Sequence, residues 1–175
     1  LTIDPAVQQA AWDALGSNTG AVVALDPKTG AILAMVSKPS YDPNRLASHA
    51  ATDVIAAYNE LLDDPTNPLI NRAISGDLYH PGSVFKLVVA AAALDSGRFT
   101  PESTFANPAT LQLPLSTSVI TNSGGGTCGP GETVTLADAL RLSCNIPFAE
   151  IGTAIGEDEL RDYAKAYGFG NDLGI

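Results

Sequence analysis

The chain has 175 residues, with 9 Lys plus Arg against 19 Asp plus Glu and a formal net charge of −10. Such an acidic balance excludes the clustered cations that nucleic-acid phosphates require, and equally a polybasic membrane patch. A hydrophobic fraction of 45% excludes disorder, and the longest strongly apolar run, Leu87 to Leu94, is far short of the roughly 20 residues that span a bilayer.

The first element is a helix after Asp4, with Asp4 as N-cap, Pro5 at the first helical position and Gly16 as its stop. Gln8 fits a capping box displaced by one residue, and Ala11, Trp12 and Leu15 share a face. Two apolar runs, Ala21 to Leu25 and Ala31 to Val36, flank Asp26-Pro27-Lys28-Thr29-Gly30, which reads as the tight turn of a β-hairpin. Both strands are apolar on both faces, so a sheet covered on both sides is expected. Ser37 to Asn71 is a long polar stretch rich in Pro, Asn and Asp, with a short helix from about Thr52 to Leu62. Ser83 to Ser96 carries the strongest helical signal, closed by Gly97. It is apolar nearly all round and is expected at the centre of the core. Asn107 to Glu132 predicts one or two short strands and an exposed Gly124-Gly125-Gly126 loop. Three short helices follow, at Leu136–Leu142, Ile146–Ile155 and Asp158–Tyr167, with Glu157 and Arg161 spaced for an ion pair.

Two constellations carry chemistry. Ser83 and Lys86 stand three apart at the start of the apolar helix, so their side chains share a face. A serine becomes a nucleophile when a base takes its proton, and a lysine is such a base when burial or a helix N-terminus depresses its pKa. The plainer alternative is a Ser N-cap beside a Lys that extends to solvent. Ser143 and Asn145 flank Cys144 on the turn between two helices, where a hydroxyl and an amide can face one cleft. They also suit a simple turn and cap. Cys128, Cys144, His49 and His80 lack the paired spacing of a zinc site, and composition leaves the thiols either free or joined in one disulfide.

S-x-x-K followed by S-x-N is the order of the first two motifs of penicillin-binding proteins and serine β-lactamases. Longer stretches agree: Ala24 to Ser37, Pro39 to Asn44, Asn71-Arg72-Ala73, Pro81 to Lys86, Ala139-Leu140, and Phe169-Gly170 with Leu173-Gly174-Ile175. The chain resembles the transpeptidase domain of class B penicillin-binding proteins, and Leu69 to Leu94 is closest to an actinobacterial, cell-division type. The resemblance implies an α+β fold of the transpeptidase and serine β-lactamase kind, an antiparallel sheet flanked by helices plus a helical subdomain. It implies Ser83 as nucleophile, Lys86 as its base, Ser143 as proton relay and Asn145 as the residue that orients Lys86 and binds substrate. Peptidoglycan stem peptides would be the substrates and β-lactams the inhibitors, with no metal or other cofactor. Cell-division proteins are the expected partners, and the extracytoplasmic face of the membrane the expected location. In that oxidising setting Cys128 would pair with Cys144.

Lys28-Thr29-Gly30 has the letters of the third motif but precedes the other two, and is read as a turn. A chain that starts at Leu1 without a signal-peptide pattern and lacks the third motif is expected to be the N-terminal part, residues 1–175, of one transpeptidase domain. Its C-terminal remainder would be a necessary partner, and the isolated piece would be inactive. A hydrolase or β-lactam sensor of the same fold, and a non-catalytic division scaffold, are the alternatives.

Overall fold

The computed structural model describes residues 1–76, 79–172 and 174. Asp77, Leu78, and the residues Leu173 and Ile175 that close the family resemblance, lie outside them. The backbone forms two compact units, Leu1–Tyr79 and His80–Ile175.

In the first unit, α1 (Pro5–Leu15) starts where its cap predicts: the Asp4 carboxylate accepts the Ala6 and Val7 N–H groups at 2.8 and 3.1 Å. Gly16, at φ 56°, ends it. Strands β1 (Gly20–Leu25) and β2 (Ile32–Lys38) form the predicted antiparallel hairpin, with Val22 opposite Val36 and Ala24 opposite Ala34. Asp26 organises the turn by accepting the Lys28 and Thr29 N–H groups at 2.7 and 3.1 Å, and these bonds hold its carboxyl below the ordinary range. Gly30 takes the left-handed φ of 73° that closes the turn. Lys28-Thr29-Gly30 is therefore the hairpin turn.

Ala34 and Val36 pack with Ala11 of α1, joined by Val7, Leu15, Val22 and Ala24. The expected cover on both sides is not what the described residues of this unit provide. Val23 and Leu25 are 44% and 55% exposed, because one helix covers one face. Gln8 also departs from expectation. Instead of closing a capping box, its amide donates to the Met35 carbonyl at 2.9 Å and accepts the Met35 N–H at 2.8 Å. These are the groups that β2 would leave open on its outer edge. Ser37 ties in the later chain, donating to Ile70 O and accepting the Arg72 N–H, both at 3.0 Å. The predicted short helix is α2 (Ala51–Asp63), which buries Ala57 and Leu61.

In the second unit, a single 3-10 turn (Gly82–Phe85) leads into α3 (Lys86–Asp95). Here the reading of an all-round buried helix needs correction. Val88, Val89, Ala90, Ala92 and Ala93 are buried, but Leu87 and Leu94, seven residues apart on another face, are 55% and 41% exposed. The core joins α3 to α4 (Leu136–Arg141) and α5 (Ile146–Ile155) through Leu136, Ala139, Phe148, Ile151 and Ile155. Helix α6 (Glu157–Ala166) follows, and its Arg161 pairs with Glu157 and Asp158 on an exposed face.

Four three-residue strands were only partly legible. β4 (Thr110–Gln112) pairs with β5 (Val119–Thr121), and β3 (Thr104–Ala106) pairs with β6 (Thr133–Thr135). All pairings are antiparallel and fall in three two-stranded ladders among the described residues, giving an α+β fold.

Gln8→Ala removes both partners of the Met35 peptide groups. The expected loss is about 1–2 kcal/mol of stability, since a partly buried peptide pair is left open, read as a lower urea midpoint with an unchanged slope.

Candidate active site

Three of the four polar residues singled out in the sequence, Ser83, Ser143 and Asn145, converge on the amine of the fourth, Lys86. Lys86 begins α3, three residues after Ser83 in the preceding 3-10 turn, so the local helical path alone sets Nζ 3.3 Å from Ser83 Oγ. The other contacts cross the fold. Lys86 Nζ donates to the Ser143 carbonyl at 2.6 Å and to Asn145 Oδ1 at 2.7 Å, and lies 3.1 Å from Ser143 Oγ. Ser143 reaches it because the α4–α5 turn puts Ser143 in the left-handed region, at φ 57°, an unusual conformation for a residue with a Cβ.

Lys86 is only 9% exposed, and Phe148 lies beneath it with its ring centroid 5.9 Å from Nζ. Burial pushes its pKa below the ordinary lysine value of 10.5. The hydrogen-bond pattern gives that shift a chemical meaning. Ser143 O can only accept. Asn145 Oδ1 is fixed as an acceptor because the same amide donates through Nδ2 to Thr121 O at 2.8 Å. In the neutral amine two N–H bonds go to these carbonyl oxygens, and the lone pair remains for a hydroxyl proton from Ser83 or Ser143. Ser83 itself is exposed.

Cys144, between the two motif residues, is fully buried and bonded to Cys128, 16 residues earlier. The disulfide ties the end of the Gly-rich loop to the turn that holds Ser143 and Asn145.

Two buried asparagines escaped the sequence reading. Asn107 accepts the Cys128 N–H at 2.7 Å and donates to the carbonyls of Cys128 and Gly131 at 3.1 Å each. Asn122 accepts the Asn145 N–H at 2.9 Å. Both sit in a segment of mixed Pro, Ser, Thr and Gly, where an Asn reads as one more turn residue. The signal available was their place beside the short runs that became β4 and β5. No group of three or more His, Cys, Asp or Glu among the described residues could hold a metal ion.

The chain that carries this cluster has close counterparts in sequence and fold. The family model for the penicillin binding protein transpeptidase domain matches residues 20–175. The chain belongs to that family. It is 50% identical over 172 residues to the peptidoglycan D,D-transpeptidase PbpA of Mycolicibacterium smegmatis, a match covering 95% of this chain and 35% of the relative. It is 35% identical over 175 residues to the peptidoglycan D,D-transpeptidase MrdA of Escherichia coli, covering 100% of this chain and 26% of that protein. Among solved structures, penicillin-binding protein A from M. tuberculosis as its imipenem acyl-enzyme complex superposes with a TM-score of 0.88 at 46% identity, covering 97% of this chain and 40% of that one. The chain thus spans about a third or less of the length of these curated relatives.

For this member of the family, the disulfide predicts a measurable difference between redox states. Closing a 16-residue loop is worth about 3 kcal/mol. Reduction, or Cys128→Ala, is expected to lower the urea midpoint accordingly, monitored by far-UV circular dichroism with and without dithiothreitol.

Proposed function

We propose that the protein is a serine D,D-transpeptidase that cross-links peptidoglycan stem peptides through an acyl-serine, and that β-lactams acylate the same serine. The observation that carries this reading is the shared coordination of the Lys86 amine by Ser83, Ser143 and Asn145. Ser83 Oγ attacks the carbonyl between two D-alanines while its proton moves to the neutral Lys86 amine. The new Oγ–C bond forms and the C–N bond to the terminal D-alanine breaks. Ser143 passes a proton from Lys86 to the departing amine. Asn145 holds Lys86 through Oδ1. A stem-peptide amine then attacks the ester; its C–N bond forms, the C–Oγ bond breaks, and the amine's proton returns to Ser83 Oγ through Lys86, which completes the cross-link.

We further read residues 1–175 as the N-terminal part of one transpeptidase domain, with the third motif supplied by a further segment. A disulfide beside the site supports an oxidising, extracytoplasmic location, and the similarity to a peptidoglycan D,D-transpeptidase supports a role in cell-wall synthesis; the resemblance of Leu69 to Leu94 to a cell-division type carries the further reading of division proteins as partners.

A fluorescent penicillin added to the complete protein tests the reading. Wild type is expected to form a covalent adduct and Ser83→Ala none; equal labelling of both overturns the assignment. Lys86 adds a pH signature. Because burial lowers its pKa from 10.5, the amine becomes neutral at a lower pH than an ordinary lysine, so acylation is expected to climb with pH below 10.5 and decay as Lys86 protonates. Lys86→Arg stays charged throughout. It is expected to lose about 10²–10⁴-fold in rate, the range for a general base, with the alkaline limb gone.

A further inference from the structure

Asn145 stands at the N-terminus of α5, where an asparagine side chain ordinarily accepts from the N–H groups of the first turn. Here it caps nothing in its own helix. Its Oδ1 is committed to Lys86 at 2.7 Å and its Nδ2 to Thr121 O at 2.8 Å. Pro147 at the second helical position has no N–H, and the N–H groups of Asn145 and Ile146 are not within a cap side chain's usual reach, so they need an acceptor from elsewhere. Asn122 supplies one from another part of the chain: its Oδ1 accepts the Asn145 N–H at 2.9 Å and the Ile146 N–H at 3.3 Å. Its Nδ2 donates to Gly126 O at 3.1 Å and Pro108 O at 3.5 Å. Asn122 is 5% exposed, so water does not readily replace these bonds.

We propose that Asn122 is a positioning residue of this site: by accepting the Asn145 and Ile146 N–H groups it anchors the start of α5 and so fixes the backbone from which the Asn145 side chain reaches the Lys86 amine. Asn145 is then fixed at three atoms. Two of the fixing groups, Thr121 O and Asn122 Oδ1, come from adjacent residues at the end of β5. Without Asn122 the Asn145 and Ile146 N–H groups are left open in the interior, and the start of α5 shifts to satisfy them, which withdraws Asn145 Oδ1 from Lys86. The inference rests on the transpeptidase reading above, since it gives Asn145 a task other than capping.

The test is the second-order rate of acylation by a fluorescent penicillin in the complete protein, for N122A, N122D, N145A and N122A/N145A, with thermal unfolding recorded for each. Covalent labelling of wild type but not of Ser83→Ala keeps the underlying reading secure, whatever Asn122 does. N122A is expected to slow acylation on the order of 100-fold, the scale for a displaced catalytic group. N122D keeps the acceptor for both N–H groups but loses the donor to Gly126 O and Pro108 O, so it is expected to unfold at a lower temperature and yet, assayed well below that temperature, to stay within about 10-fold of the wild-type rate. Because Asn122 acts through Asn145, adding N122A to N145A is expected to change the rate by less than about 3-fold, a strong non-additivity. The proposal is overturned if N122A acylates like wild type, or if it slows the reaction equally with and without Asn145, which is the mark of a merely structural residue. If N122A does not fold, N122D decides: a loss as large as that of N145A overturns the proposal, and retention supports it.

Discussion

Everything around the site follows from keeping one amine out of water without leaving it unpaired. Burial makes the charged form of a lysine less favourable, and the neutral amine that serves as base has two N–H bonds and one lone pair. The fold meets the two N–H bonds with carbonyl oxygens, one from the backbone of Ser143 and one from the Asn145 side chain. That leaves the lone pair directed toward hydroxyls. An arrangement with one carbonyl fewer would turn an N–H onto a serine hydroxyl and the lone pair away from it. One with a carboxylate in place of Asn145 Oδ1 would hold the ammonium and remove the base. The amide is the neutral acceptor that satisfies both demands, and its orientation is set from behind by Thr121 O.

This arrangement is unfavourable for stability. Because the Lys86 pKa in the fold lies below that of an unfolded lysine, the native state bears the cost of burying the charge at pH below the folded pKa. That cost fades as pH rises from the folded pKa toward 10.5. The left-handed Ser143 adds backbone strain at the same place. Stabilising features are concentrated beside it. Cys144 is cross-linked to Cys128, and Ile146 and Ile151 of α5 are fully buried. Ala92 and Ala93 of α3 and Ala139 of α4, all without exposed surface, let the three helices approach closely beneath the polar residues. The apolar layer and the cross-link hold the turn that carries the strain.

Local spacing was legible in the sequence, and long-range pairing was not. Asp4 before Pro5, the Asp26 turn and the Ser83–Lys86 interval each depend on residues within a few positions, so the chain states them directly. Gln8 looked like a local cap and proved to be a partner for Met35, 27 residues away, because an edge strand's open peptide groups offer a stronger demand than an already capped helix. Helix α3 read as buried all round since Leu and Val carry no sign of which face meets the core. The exposed Leu87 and Leu94 mark the side that the packing of α4 and α5 leaves open. The three-residue strands lie below the length at which alternation can be seen. Ser143, Asn145 and the Cys128–Cys144 pair were reached through family resemblance; spacing alone left a turn and two thiols.

The segment between Asn107 and Glu132 shows how a stretch with few apolar residues is nonetheless given a defined path to the site. Its Gly, Pro, Ser and Thr residues bury too little surface to order it by hydrophobic contact. Two buried asparagines do so instead. Asn107 gathers Cys128, Gly129 and Gly131, while Asn122 joins Pro108 and Gly126 to the start of α5. Each side chain uses both its donor and its acceptor, and among the described residues no buried side-chain nitrogen or oxygen lacks a partner. Such a network is sharp in geometry because a displaced member leaves a buried polar group open. Hydrophobic packing tolerates small shifts; a carboxamide that must meet an amine from one side and a carbonyl from the other does not. Ordering the loop by polar satisfaction is therefore what gives Asn145 a fixed direction toward Lys86.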